Sequence, residues 1–97
     1  MIRIVIADDH TLVRRGLEML LGCNPDMEVV GTASDGEEAY SLVGKLRPDI
    51  ILLDISMPPG ESGIVTAGRI HTDYPETRII MSTMHDDKEY LFLRHIP

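Results

Sequence analysis

The stretch Ile50-Ile51-Leu52-Leu53-Asp54-Ile55-Ser56-Met57-Pro58 decides the fold. Four consecutive apolar residues with no charge between them predict a short strand buried on both faces of a sheet. A carboxylate closes the run, and a proline pair and a turn containing Gly60 and Gly63 follow. In an open α/β sheet, reacting groups sit at the carboxyl tips of the strands, so Asp54 is placed where chemistry is done.

Working outward, Ile2-Arg3-Ile4-Val5-Ile6-Ala7 is a second β-rich run, and it too ends in acid, Asp8-Asp9. From Thr11 to about Gly22, the residues Leu12, Val13, Leu17, Leu20 and Leu21 recur at helical spacing, with Thr11 or a preceding acid as the cap. Met27–Ala33 predicts a weaker strand at a sheet edge. Asp35 then starts a helix through Leu46 with Ala39, Leu42, Val43 and Leu46 inward, and Arg47-Pro48 ends it. Beyond the central strand, a helix over about Ile64–Thr72 and a strand at Arg78–Ser82 are expected. A final helix, capped by Asp86-Asp87, is expected to carry Tyr90, Leu91, Leu93 and Ile96. Strand and helix alternate throughout, which predicts one parallel-sheet domain over residues 1–97 with right-handed crossovers and helices on both faces.

Bulk composition fits one small domain with a real core: 97 residues, 43% hydrophobic and 26% charged. The net charge of −7 argues against nucleic-acid binding by this segment, because that affinity comes mainly from cations meeting phosphates. One cysteine, Cys23, can form neither an internal disulfide nor a thiolate metal site, and no membrane span or signal peptide is visible. A cytoplasmic setting is expected.

If the first and third strands are neighbours, Asp8, Asp9 and Asp54 converge. Three carboxylates that close repel one another, and a divalent cation relieves the repulsion. A site made only of oxygen donors suits Mg²⁺ better than Zn²⁺. An ionised Asp beside such an ion can attack phosphorus and become an acyl phosphate. Thr83, just past the fourth strand, offers a hydroxyl to a phosphoryl oxygen. Taken singly, each feature has an ordinary explanation: an acidic helix cap, a strand-end turn, a loop threonine. The joint pattern is the specific signal. His10, His71, His85 and His95 show no metal-ligand spacing and read as surface or loop residues, and the six methionines read as core filler.

Ile4-Val5-Ile6-Ala7-Asp8-Asp9-His10, Pro48–Pro58 and Ile79-Ile80-Met81-Ser82-Thr83-Met84-His85-Asp86-Asp87 resemble a bacterial two-component response-regulator receiver domain. Val29–Gly36 and the Asp-Asp-His opening are similar to its NarL/FixJ branch. Ser56–Gly63 resembles the nitrogen- or oxygen-responsive regulators of Gram-positive bacteria. The resemblance implies a flavodoxin-like (CheY-like), three-layer αβα doubly wound sheet. It further implies that a sensor histidine kinase phosphorylates Asp54. Asp9, Asp8, Asp54 and the Ser56 carbonyl would bind Mg²⁺, and Thr83 would be the switch hydroxyl. It also implies that this chain lacks the family's fifth strand with its site-facing lysine, and the last helix. Transfer would then be weakened, and strand four would be left as an edge through which copies associate. The family's DNA-binding output lies outside this chain. The chain is expected to be a signalling switch rather than a metabolic enzyme. The alternatives are an interaction module that is never phosphorylated, and an aspartyl phosphohydrolase. The latter wants a second acid shortly after the nucleophile, where this chain has Ser56.

Overall fold

A computed structural model describes residues 1–55, 62–85 and 90–96, with side chains described up to Ser82. The elements run β1 (Ile2–Ala7), α1 (Thr11–Gly22), β2 (Met27–Ala33), α2 (Gly36–Leu46), β3 (Ile50–Asp54), α3 (Gly63–Asp73), β4 (Arg78–His85) and β5 (Tyr90–Ile96). They form one sheet in the order β2-β1-β3-β4-β5. The first four strands are parallel. The chain steps from β1 to β2 in one direction, then from β2 past β1 to β3 and on to β4 in the other. Right-handed crossovers therefore put α1 on one face and α2 with α3 on the opposite face.

Strand periodicity builds the core. Val5, Ala7, Ile51, Leu53, Ile79 and Met81 alternate onto the face covered by α2 and α3, where they meet Ala39, Val43, Ala67 and Ile70. The opposite face is less covered. Ile4 and Ile6 are buried, but Ile50, Leu52 and Ile80 are only half-buried. The expectation that β3 is buried on both faces therefore holds fully on one. The reason is that α1 lies mainly against β1 and β2. α1 itself buries no residue completely. Leu12 and Leu20, two of the five residues in its apolar repeat, point outward at 84% and 72% exposure.

Local chemistry explains most element ends. Asp35 caps α2 by accepting from Glu38 N at 2.8 Å, while the Glu38 carboxylate accepts from Ser34 N at 2.7 Å. The helix stops where Arg47 takes a left-handed conformation (φ 47°) just before Pro48. Arg47 is held there by its stack over the Tyr74 ring at 4.6 Å and an ion pair with Glu76. At α1, neither Thr11 nor an acid serves as the cap. His10 occupies that position and its side chain makes no capping bond. Gly63 is the first residue of α3 rather than a turn residue, and its N–H donates to Ile55 O at 2.7 Å.

The far edge differs from expectation. Tyr90–Ile96 is a strand, antiparallel to β4 and paired from His85↔Tyr90 to Ile79↔Ile96, not a helix. The sheet thus has five strands, and the edge of β4 expected to be open for association is filled by the same chain. Tyr-Leu-Phe-Leu suits a strand as well as a helix, and the unpaired backbone groups along β4 decide between them. The expected cap at Asp86-Asp87 lies outside the described residues.

Candidate functional site: an acidic pocket at the strand tips

The conditional on which the sequence argument turned is met: β1 and β3 are neighbours. Their register pairs Ala7 with Leu53, so Asp8 and Asp54 follow at the same level, one step beyond the pair. β3 continues beside β4 with Asp54 opposite Ser82. The pairing runs on past the strands, Asp8 N donating to Ala33 O at 3.0 Å and Ile55 N to Ser82 O at 3.0 Å. The backbones carrying both acids are therefore anchored on either side.

Asp8 and Asp54 are buried, at 6% and 7% exposure, and Asp9 is half-buried. Donor atoms of Asp8, Asp9, His10 and Asp54 all lie within 4.8 Å of one another. The structure thus brings together the three predicted acids and adds a residue the sequence reading set aside. His10 is exposed, as expected, yet its Nδ1 is 2.9 Å from Asp8 Oδ1 and 2.9 Å from Asp9 Oδ1. The Asp-Asp-His run was the available signal. Spacing to the other histidines carries no such signal, because the partners of His10 are the adjacent acids. Ser56 lies outside the described residues, as does the side chain of Thr83, whose backbone continues β4 beside Phe92.

Asp8 organises the corner. Its Oδ1 accepts from His10 N at 2.8 Å and lies against the ring nitrogen, while its backbone carbonyl accepts from the Arg14 guanidinium. The hydrogen bond to Asp8, and then the charge of Asp9, raise the His10 pKa above its ordinary value of 6.5. Asp9 Oδ1 is a buried oxygen with no hydrogen-bond partner among the described residues. His10 Nδ1 is close, but meets hydrogen-bond geometry only toward Asp8.

A buried carboxylate oxygen without a donor is costly unless something positive meets it. Two strand-tip carboxylates and a third beside them fit a hard divalent cation, which takes oxygen ligands and offsets their repulsion. The donor set passes that test. Lys45 does not reach this pocket, since it sits in the last turn of α2. That end of the helix is tied to the start of β1 by the bond from Arg3 to Leu46 O.

Comparison with known proteins agrees with this geometry. Residues 4–93 match the profile of the response regulator receiver domain. The chain is 57% identical over 90 residues to oxygen regulatory protein NreC of Staphylococcus epidermidis, covering 93% of this chain and 41% of that protein. It is 56% identical to the Staphylococcus aureus protein of the same name, again over 93% of this chain and 42% of the relative. It therefore spans well under half the length of these curated relatives. Among solved structures, the signal receiver domain of the putative response regulator NarL from Mycobacterium tuberculosis superposes with a TM-score of 0.81 at 36% identity, over 88% of this chain and 68% of that one. The response regulator domain of Thermotoga maritima CheB gives 0.81 at 38% identity, over 86% and 60%.

Proposed function

This chain belongs to the response regulator receiver domain family, and from that premise we propose that Asp54 is its phosphoryl acceptor, served by a sensor histidine kinase. The observation that carries the proposal is the convergence of carboxylates from two adjacent parallel strands within 4.8 Å. Asp8, Asp9 and Asp54 would hold Mg²⁺, with the Ser56 carbonyl as a further ligand. The bound ion would supply positive charge to the phosphoryl oxygens.

The chain's own residues do the remaining work. Asp54, fixed at the end of β3, would direct a carboxylate oxygen at phosphorus. The new O–P bond forms as the P–N bond to the donor histidine breaks, and the departing imidazole keeps the electron pair and takes a proton. Asp8 and Asp9 would hold the ion in position. Thr83 would donate its hydroxyl to a phosphoryl oxygen and so couple phosphorylation to the packing of the segment after β4. In a longer parent protein, that change would govern a DNA-binding output and hence transcription. The setting would be the cytoplasm, and no helix among the described residues is long and apolar enough to cross a membrane.

Beryllofluoride with Mg²⁺ tests the switch. We expect shifts in the Asp54 and Thr83 amide signals of the labelled chain. Silence of both would favour the reading of the domain as a docking module only. A generic phosphate ester should not be turned over, since residue 56 is serine rather than a second acid.

A further inference from the structure

We propose that His10 is a nitrogen ligand of this pocket and tilts its ion preference toward Mn²⁺, Co²⁺ and Zn²⁺ relative to Mg²⁺. The inference rests on the reading of the pocket as a cation site. A site made only of oxygen donors suits Mg²⁺, and the fold places an imidazole among the oxygens.

Three observations carry it. His10 Nδ1 stands 2.9 Å from an oxygen of Asp8 and 2.9 Å from an oxygen of Asp9. Adjacent donors on an octahedral ion with bonds of about 2.1 Å are separated by about 3.0 Å, so the nitrogen already stands at a neighbouring ligand's distance from each of the two carboxylate oxygens. Second, Asp9 Oδ1 is buried and accepts no hydrogen bond among the described residues. The ring nitrogen beside it meets it as an ion pair only when protonated, and a cation shared between the two would take the place of that ring proton, which leaves to solvent.

Third, the imidazole is anchored. His10 N donates to Asp8 Oδ1 at 2.8 Å, and its carbonyl accepts from Arg14 N at 3.0 Å. The backbone is tied on both sides, and the ring has only its side-chain torsions to adjust. Imidazole nitrogen suits zinc and other first-row transition metals, whereas Mg²⁺ favours oxygen and holds its waters. One nitrogen added to three carboxylates therefore changes the relative affinities of ions that the carboxylates alone would rank differently.

The test uses the whole 97-residue chain and its His10→Ala variant, with Mg²⁺, Mn²⁺ and Co²⁺ as probes. His10 is exposed and makes no side-chain cap, so the variant is expected to fold, which circular dichroism checks. Pulsed electron paramagnetic resonance of bound Mn²⁺ should show ¹⁴N coupling in the wild type and none in His10→Ala. Competition titrations should show the preference for Co²⁺ over Mg²⁺ falling about tenfold or more in the variant, since losing even an outer-shell partner of a ligand costs about tenfold in affinity. Coupling that persists in the variant would assign the nitrogen to another histidine and overturn the inference. Binding without coupling, and with unchanged preference, would overturn it while leaving the cation site intact. Failure of every ion to bind would overturn both.

Discussion

Replacing Gly63 with alanine perturbs the joint on which the pocket's geometry depends. A β-carbon at this first residue of α3 would lie 2.0 Å from the Asp54 carbonyl oxygen, 2.8 Å from Ile55 Cα and 2.9 Å from the Asp54 carbonyl carbon. All three are backbone atoms at the end of β3, in Asp54 and the residue after it, so no side chain can rotate away. Clearing the oxygen alone to about 3.0 Å needs a displacement of about 1 Å, and such a shift along the Gly63–Ile55 bond breaks it. Overpacking of this kind costs about 1–3 kcal/mol, and a buried hydrogen bond left unmade about 1–3 more. A total of about 3 kcal/mol lowers the melting temperature of a domain this size by roughly 12–24 °C. Gly68→Ala is the matched control. It lies in the same helix with nothing within 4 Å of its added carbon, and should raise stability by about 0.5–1 kcal/mol. Thermal unfolding followed by circular dichroism reads both. A Gly63→Ala melting point within a few degrees of wild type would show that α3 slides freely over β3, and that the close packing beneath Asp54 is not what fixes it.

Other consequences are equally direct. Asp35→Ala removes the cap of α2 and should cost about 1 kcal/mol, a fall of roughly 4–8 °C in melting temperature; an unchanged melt would refute the capping role. The Tyr40 hydroxyl donates to Asp73, and that bond above all pushes its pKa up to about 12. The folded value lies above the unfolded one of about 10, so the contribution to stability is whole below pH 10 and disappears as pH rises through about 12. Spectrophotometric titration should find a late phenol component that Tyr40→Phe abolishes; a titration curve whose late part is unchanged in that variant would contradict it. Leu20→Gln, on the outward side of α1, should change stability by no more than about 0.5 kcal/mol, whereas a loss of several would mean that the helix faces the other way.

Much of this architecture was legible in the chain. Apolar runs ending in acid located β1 and β3. Alternation of elements left their adjacency a condition, which the family resemblance filled and the sheet order meets. What failed did so for tertiary reasons. Periodicity identifies the apolar positions of α1 but not which neighbour receives them, and with the helix mainly against β1 and β2, Leu12 and Leu20 face outward. Tyr90–Ile96 reads as a helix only until the unpaired edge of β4 is considered. His10 was missed because spacing rules compare histidines with one another, while here a two-residue turn at Asp8 folds the ring back onto the acids. The spacing of Gly63 from Asp54 gave no hint of the close approach between their backbones.

The central claim is that carboxylates from neighbouring strand tips make Asp54 a cation-dependent phosphoryl acceptor. Peptide mapping by mass spectrometry, after exposure of the chain to a small phosphodonor with and without Mg²⁺, tests it most directly. The account predicts one added phosphoryl group on Asp54, labile to hydroxylamine, present only with the ion and absent from Asp54→Asn. An adduct on another residue, one formed equally well in chelator, or none on a folded chain given a competent donor would contradict it.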